Sequence, residues 1–325
     1  MSGITAVTGS ITLNPAQDAG LAVSIAYELN VPAGSSRLPS TVLLLVAGGT
    51  YNRHYWDLPD PVGGTDQYSF VKAANKSGFA TLAIDTLGRG LSSRPHSSEC
   101  TLLADARICD ELVQKLRAGT LVDGGKVGGF EKVVAVGHSW GTVTTWLTAS
   151  EYQNLDGVIL TGGAHPDTSV DPIMVLANTD PVFADLDLDD GYLTTPPGHR
   201  ADQFYEPGEY DPAVVVWDDE HKDVWTVANA DEVAELLARP LDIRAHALLV
   251  VGELDPFCTG EIGAKLPDAD TFLRNESPFL GSDVASVEAF VLANSGHCMN
   301  GMVNAPDWYA VAMAWLERRI GGAAD

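Results

Sequence analysis

The sequence predicts an α/β protein with a mostly parallel central sheet flanked by helices. Short apolar runs that end at Gly, Asp or Asn alternate along the chain with longer helix-forming stretches, as expected for parallel strands joined by crossover helices. The runs are apolar throughout, which is typical of strands buried on both faces. The 325 residues allow either two domains or one large domain with an insertion.

The elements follow in order along the chain. Two extended segments at the amino terminus, Ser10–Asn14 and Leu21–Leu29, mix β-forming residues and predict a hairpin or meander at a sheet edge. Buried strands are predicted at Val42–Leu45, Phe79–Asp85, Lys132–Gly137, Gly157–Thr161, Ala247–Gly252 and Ala289–Ala293. Helices are predicted at Tyr68–Lys76, Leu102–Arg117, Thr142–Tyr152, Ala230–Leu237 and Trp308–Ile320. The functional groups of such a sheet lie at the carboxyl ends of its strands.

The segment from 162 to 240 interrupts this alternation. It carries 18 Asp or Glu residues against three Lys or Arg residues, so it holds −15 of the net charge of −25. Its prolines are spaced too closely for long helices or central strands. We expect an insertion of loops and short helices over the strand ends, within a core domain formed by residues 1–161 and 241–325.

Composition and charge exclude several classes of function. Hydrophobic residues make up 45% and charged residues 19% of the chain, which is typical of a globular protein, and no apolar run approaches the ~18 residues of a membrane span. The first twenty residues lack the pattern of a secretory signal, so a cytoplasmic location is expected. A net charge of −25 repels phosphate backbones and anionic lipids; neither nucleic acid nor a membrane is an expected partner.

Cysteine spacing and nucleotide motifs give no sign of a metal or cofactor. The four cysteines, Cys100, Cys109, Cys258 and Cys298, form no C-x-x-C pair, so structural zinc is not expected. Free thiols are expected, with a disulfide between Cys258 and Cys298 as the alternative. Neither a G-x-G-x-x-G after a strand nor a P-loop motif occurs, and we expect no cofactor.

A serine lies in a Gly-x-Ser-x-Gly pattern between a predicted strand and a predicted helix. The pattern reads Gly137-His138-Ser139-Trp140-Gly141, and its two glycines let the strand and the helix approach closely. A sharp turn there exposes the hydroxyl and directs the helix N-terminus at a developing oxyanion. Ser139 is the predicted nucleophile.

A serine nucleophile needs a base that is itself oriented by an acid. His297 follows the last predicted strand and precedes the final helix, so it is the predicted base. His138 is expected to have a packing or supporting role beside the serine. The predicted acid is Asp255, which follows the strand Ala247–Gly252; Glu253 and Asp167 are the alternatives.

An oxyanion formed on the substrate needs two backbone donors. One predicted donor is the amide of Trp140, directly after the nucleophile. The other comes from the glycine-rich loop Ala47-Gly48-Gly49-Thr50-Tyr51 after an early strand, with Gly49 as first and Thr50 as second choice.

The strand order, the serine turn, the later acid and the late histidine together resemble the α/β-hydrolase fold family. A second marker, the loop from Asp85 to Pro95, is similar to the D-x-x-G-x-G-x-S-x-x-P loop of that family. Many members have His-Gly where this chain has Ala47-Gly48. The resemblance implies that the segment 162–240 is a cap or lid, whose aromatic residues could line an apolar pocket: Phe183, Tyr192, Phe204, Tyr205, Tyr210, Trp217 and Trp225.

These residues predict a metal-free serine hydrolase that cleaves a carboxylic ester or lactone of a small, neutral organic molecule through an acyl-enzyme. The same triad also serves thioesterases, carbon–carbon bond hydrolases, acyltransferases and cyclases, which therefore stay open as alternatives. An epoxide hydrolase is disfavoured, because those relatives carry an aspartate nucleophile at the position of Ser139. A non-catalytic binding protein on the same fold is the alternative from another class.

Overall fold

The structure is a computed structural model that describes residues 4–13, 22–32, 38–60, 63, 65–122, 129–165, 170–228, 233 and 240–323. The strands within these ranges are β1 (Ile4–Leu13), β2 (Val23–Pro32), β3 (Thr41–Val46), β4 (Ala80–Ile84), β5 (Lys132–His138), β6 (Gly157–Thr161), β7 (Val175–Leu176), β8 (Tyr192–Thr194), β9 (Trp225–Thr226), β10 (His246–Gly252) and β11 (Ser286–Leu292).

Eight strands form one sheet in the order β1-β2-β4-β3-β5-β6-β10-β11. β1 and β2 pair antiparallel at one edge, and β2 pairs antiparallel with β4, which confirms the predicted edge hairpin. The remaining pairings are parallel. The register pairs Val46 with Gly137 and His138 with Thr161, so the carboxyl ends of β3, β5 and β6 lie level at one edge.

Helices cover both faces of the sheet. They are α1 (Phe70–Lys76), α2 (Leu102–Ala118), α3 (Trp140–Tyr152), α4 (Pro212–Glu220), α5 (Pro256–Thr259), α6 (Ala269–Glu276) and α7 (Ala305–Arg319). Along β3, Val42 and Leu44 pack into the core beneath α2 and α3, whereas Leu43 and Leu45 pack into the core beneath α1 and α7. All four side chains are fully buried, which explains why the strand is apolar throughout.

Short helical turns connect these elements. Turns of 3-10 helix span Arg53–Trp56, Ser97–Glu99, Ala177–Thr179, Pro181–Phe183, Ser277–Leu280 and Met299–Gly301, and a π-helical turn spans Ala201–Tyr205. The predicted helix Ala230–Leu237 lies outside the described residues, apart from residue 233.

The acidic segment contains more sheet structure than the sequence predicted. Within it, β7, β8 and β9 form a small antiparallel sheet beside α4 and several turns. These strands contain two or three residues each, which is too short for a hydrophobic period to be recognised. Among the described residues, no helix is both long enough and apolar enough to cross a membrane.

Candidate active site

Ser139 lies on a sharp turn between β5 and α3. Its backbone has φ 52° and ψ −117°, a conformation that is rare for a residue with a side chain and strained unless its surroundings hold it. The Ser139 amide donates to the Thr161 carbonyl at 2.8 Å, and its carbonyl accepts from the Thr142 amide at 2.8 Å. The turn is therefore fixed by both the next strand and the first turn of the helix.

Two glycines permit this turn because no side chain fits at either position. A Cβ atom at Gly137 would lie 2.4 Å from the Gly141 carbonyl oxygen, and one at Gly141 would lie 2.1 Å from the Val46 carbonyl oxygen. Both distances are far below any real carbon–oxygen contact, and both involve backbone atoms that cannot rotate away. The pattern Gly-x-Ser-x-Gly thus reflects close packing of β5, α3 and β3.

The structure brings His297 and Asp255 together. His297 Nδ1 lies 2.8 Å from Asp255 Oδ2, and both residues are buried, with 2% and 0% of their surface exposed. Asp255 Oδ1 accepts from the Phe257 amide at 3.0 Å, which fixes the carboxylate at the start of α5. Since Nδ1 is bound to the acid, Nε2 is the imidazole nitrogen that can serve as a base.

The alternative acids do not occupy this position. Glu253 accepts from the Asn294 amide at 2.9 Å and lies 3.3 Å from Lys265 Nζ, so its carboxylate is engaged on the outer side of the loop. Asp167 lies outside the described residues. Among the three candidates, the contact with His297 is made by Asp255.

A cysteine thiol also contacts the acid. Cys258 Sγ donates to Asp255 Oδ2 at 3.2 Å, the same oxygen that His297 Nδ1 approaches. Burial, with the neighbouring Asp255 charge, raises the pKa of the Cys258 thiol well above its ordinary value, so the sulfur keeps its proton and acts as a donor. All four cysteines are buried and free, which rules against the alternative disulfide between Cys258 and Cys298.

His138 contacts the backbone of the predicted base, His297. It is fully buried, stacks on Tyr55 with ring centroids 4.2 Å apart, and its Nε2 lies 3.0 Å from the His297 carbonyl oxygen. Burial, followed by the proximity of His297, lowers the pKa of His138 well below its ordinary value. A neutral His138 can therefore donate Nε2–H to that carbonyl, which agrees with the supporting role expected from the sequence.

The loop after β3 passes close to the serine. The Gly48 carbonyl accepts from Arg89 Nη1 at 3.1 Å and from the Tyr51 amide at 3.3 Å. In a trans peptide the N–H points opposite to the carbonyl, so the Gly49 amide points away from Arg89. A Cβ atom at Gly48 would lie 2.9 Å from Ser139 Cβ, which shows how closely this loop approaches the serine.

The loop from Asp85 to Pro95 holds that arrangement in place. Asp85 is fully buried, accepts from the amides of Arg53 and Leu91 at 2.9 and 2.8 Å, and is paired with the Arg53 guanidinium. Arg89 within the same loop is 3% exposed and reaches Gly48. The sequence marker D-x-x-G-x-G therefore builds a support for the loop that contains Gly49.

A cavity of about 340 Å³ opens at the carboxyl edge of the sheet. Ser139, His297, Gly49, Thr50 and Trp140 all border it. Its remaining described lining is mainly apolar and comprises Val143, Trp146, Gly162, Gly163, Ala164, Val170, Asp171, Pro172, Met174, Phe204, Trp225, Val233 and Phe257. The predicted nucleophile, base and oxyanion residues thus share one pocket.

Two of the seven aromatic residues singled out in the acidic segment are among the described lining, namely Phe204 and Trp225. Trp225 packs edge-on against Trp140 with ring centroids 5.3 Å apart.

In the part of the chain that the structure describes, no group of three or more His, Cys, Asp or Glu side chains is arranged to hold a metal ion.

The model of the Alpha/beta hydrolase family matches residues 43–312, which is most of the chain. The chain belongs to the α/β-hydrolase family. The eight-stranded, mostly parallel sheet flanked by helices is the fold of this family, and the protein is a hydrolase in that general sense. No curated protein sequence matches the chain significantly.

Solved structures show the same α/β-hydrolase fold. An α/β hydrolase fold protein from Chitinophaga pinensis has 14% identity and a TM-score of 0.57, with 96% of this chain and 98% of that chain covered. An esterase from Exiguobacterium antarcticum has 17% identity and a TM-score of 0.54, with 91% and 96% covered. An epoxide hydrolase from Vigna radiata has 14% identity and a TM-score of 0.53, with 96% and 98% covered. At such identities the likeness concerns the fold alone.

Sequence reasoning missed the polar contacts around this α/β-hydrolase site. Arg200 in the acidic segment is fully buried and donates to Thr50 Oγ1 at 2.6 Å, and the Cys258 thiol contacts the acid. One signal was present for Arg200, because only three Lys or Arg residues occur among 18 Asp or Glu residues in that segment, and each of the three is a candidate for a buried ion pair. For Cys258 the signal was its position three residues after Asp255, although it was considered only as a possible disulfide partner of Cys298.

Proposed function

We propose that this α/β hydrolase cleaves a carboxylic ester or lactone of a small, neutral organic molecule through an acyl-enzyme. The observation that carries the proposal is the shared cavity, which Ser139 and His297 border together while Asp255 holds the imidazole at 2.8 Å. A hydroxyl, a base and an orienting acid are the groups that nucleophilic acyl transfer requires.

In the proposed mechanism, Ser139 Oγ attacks the acyl carbon and its proton moves to His297 Nε2. Asp255 keeps the proton of the neutral imidazole on Nδ1 and stabilises the imidazolium that forms. His297 then protonates the leaving alkoxide, which departs and leaves the acyl group on Ser139. Water attacks this ester with His297 again as base, and the serine regains its proton when the acid is released.

We assign the oxyanion donors to the amides of Gly49 and Trp140. Gly49 is favoured over Thr50 because the Gly48 carbonyl is held by Arg89 on the opposite side of the peptide. Trp140 is the first residue of α3, so its amide lies at the positive end of the helix dipole. Both amides are backbone groups, and the histidine that many relatives have at position 47 is not required for either.

A neutral substrate fits the cavity wall. Asp171 is the one carboxylate among the described lining residues, and no Lys or Arg is among them. An anionic substrate would lose hydration there without gaining a cation, and the surrounding negative charge repels it. We also propose that the segment 162–240 serves as the cap of this site, since Phe204 and Trp225 from that segment border the cavity.

The test compares the wild-type protein with Ser139→Ala on a panel of neutral aryl esters, lactones and thioesters. We expect Ser139→Ala to lower kcat by about a thousandfold or more with an unchanged melting temperature. A fluorophosphonate should label the wild-type protein on Ser139, with loss of fluoride. The exposed Ser282→Ala is the control and should keep both activity and labelling. Ordinary turnover by Ser139→Ala would overturn the proposal.

A further inference from the structure

Thr50 has an unusual backbone at the edge of the cavity. Its φ is +60°, in the left-handed region that a β-branched residue adopts only under constraint. Thr50 is 2% exposed and borders the cavity beside Gly49. Thr50 is joined to Gly49 by a single peptide, so the conformation of Thr50 helps to set where the Gly49 backbone, and with it the Gly49 N–H, lies relative to Ser139.

The constraint comes from the acidic segment. Arg200 Nη1 donates to Thr50 Oγ1 at 2.6 Å and to the Thr50 carbonyl at 3.4 Å. The Asp223 amide donates to the same carbonyl at 2.9 Å. The side chain and the carbonyl of Thr50 are thus both held, and the strongest contact to the side chain is made by a cation.

Arg200 is itself held rigidly. Its Nε and Nη2 donate to the two oxygens of Asp218 at 3.1 and 2.8 Å. Its Cζ lies 4.1 Å from the centre of the Tyr51 ring and 4.8 Å from that of Phe204. The planar guanidinium is therefore held in one orientation, and a rigid donor of this kind can hold Thr50 in one conformation.

We propose that Arg200, oriented by Asp218, is a positioning residue that keeps Thr50 in its left-handed conformation and thereby aims the Gly49 amide at the oxyanion. This inference rests on the proposed acyl-transfer function. Arg200 acts through Thr50, so its contribution is expected in the transition state, where charge develops, more than in substrate binding.

Two substitutions at Thr50 distinguish the effect of the backbone conformation from the effect of losing the hydrogen bond to Arg200. Thr50→Val keeps the shape and the β-branch but loses the hydroxyl that Arg200 holds, so the strained conformation loses its strongest side-chain contact. Thr50→Gly also loses the hydroxyl, yet glycine adopts φ +60° without strain. We expect kcat on a neutral aryl ester to fall about tenfold in Thr50→Val and less than about threefold in Thr50→Gly, with KM within twofold in both.

A substitution of Arg200 is tested in two backgrounds, the wild-type protein and the Thr50→Gly variant. Lysine cannot bind Asp218 through two nitrogens and reach Thr50 at once, so Arg200→Lys should lower kcat about tenfold in the wild-type background and much less in the Thr50→Gly background. Thr226→Val is the matched control, because this buried threonine of the same segment donates to the Cys100 carbonyl at 2.8 Å. Its kcat should stay unchanged.

The outcomes distinguish the two proposals. Equal losses of kcat in Thr50→Val and Thr50→Gly, or no loss in either, would overturn the role of Arg200 while Ser139-dependent turnover of the wild-type protein stands. A wild-type protein that neither turns over esters nor reacts with a fluorophosphonate would overturn the proposed function and this inference together. Melting temperatures of all variants show whether each one is folded at the assay temperature.

Discussion

The central sheet and the acidic segment are stabilised by different interactions. In β3, β5 and β10 nearly every side chain is apolar and fully buried. In the segment, Arg200 and Lys222 are buried as well, and each is paired with a carboxylate: Arg200 with Asp218 at 2.8 Å and Lys222 with Asp180 at 2.9 Å. Both Lys or Arg side chains that the structure describes in the segment are thus paired with carboxylates of the same segment.

This difference affects how each region positions groups of the candidate active site. Apolar packing is non-directional. The sheet therefore contributes to the site mainly by fixing the positions at which its strands end and the candidate residues follow. Charged hydrogen bonds are directional, and the segment uses them to hold single groups, such as Thr50, at a fixed orientation. Such buried charges are tolerated as long as they keep their partners.

The largest effect is expected where a buried charge loses its partner. Lys222→Met leaves Asp180 buried without its cation, so we expect a loss of about 3 kcal/mol or more in the free energy of unfolding, measured in urea. Adding Asp180→Asn removes the orphaned charge and keeps the acceptor for the Val182 amide, so the double variant should recover most of that loss. Arg244→Met, which breaks an exposed pair at 3.2 Å, is the control and should change stability by less than about 0.5 kcal/mol.

Equal destabilisation in the Lys222 single and double variants would contradict this comparison. It would show that the volume of the side chain, and not the pairing of charge, holds the segment together.

A second prediction concerns the buried carboxyl of Asp105 on α2. Asp105 on α2 is 1% exposed, and its burial raises the pKa to about 6. The folded protein therefore holds this proton to a higher pH than the unfolded chain does, so the stabilisation it provides is present below pH 4 and is lost as the pH rises through about 6. The difference between this pKa and the ordinary carboxyl pKa of 3.8 corresponds to at most about 3 kcal/mol of stability.

Asp105→Asn tests this linkage, because an amide can still accept from the Leu87 amide, which lies 3.1 Å from Asp105 Oδ1. The stability of the variant relative to wild type should rise between pH 4 and pH 7, measured by urea unfolding at each pH. A difference that is independent of pH would show that Asp105 is ionised throughout this range in the folded protein.

The smallest effect is expected at the Cys258 thiol. Cys258→Ala removes a weak donor to Asp255 Oδ2, and we expect kcat to fall about two- to fivefold. Cys258→Ser restores a donor and should recover the activity. Cys109→Ala, which alters another buried thiol on α2, is the control for packing. If the serine variant is as slow as the alanine variant, the thiol fills space at this position and does not orient the acid.

The sequence was most informative where a local pattern has a local cause. The apolar strands follow from burial on both faces, and the Gly-x-Ser-x-Gly turn follows from the close approach of backbone atoms at Gly137 and Gly141. Asp255 and His297 could be selected because parallel strands end at a common edge. Their contact at 2.8 Å agrees with that selection.

The remaining features depend on contacts that no spacing rule predicts. Arg200 and Thr50 are 150 residues apart in the chain, and nothing in either local sequence indicates their pairing. Phe204 borders the cavity whereas its neighbour Tyr205 donates to Asp218 at 2.8 Å, a choice that depends on how the π-helical turn packs. The strands β7 to β9 are too short to produce a recognisable pattern.

The order of strands in the sheet also has a consequence for synthesis of the chain. The serine turn follows β5, but the acid and the base follow β10 and β11, which are synthesised well after it. A nascent chain therefore contains Ser139 long before its partners exist, and no fragment that stops short of β11 can assemble the predicted site. Recovery of turnover during refolding would report the joining of the last two strands, a slow step dominated by contacts distant in sequence.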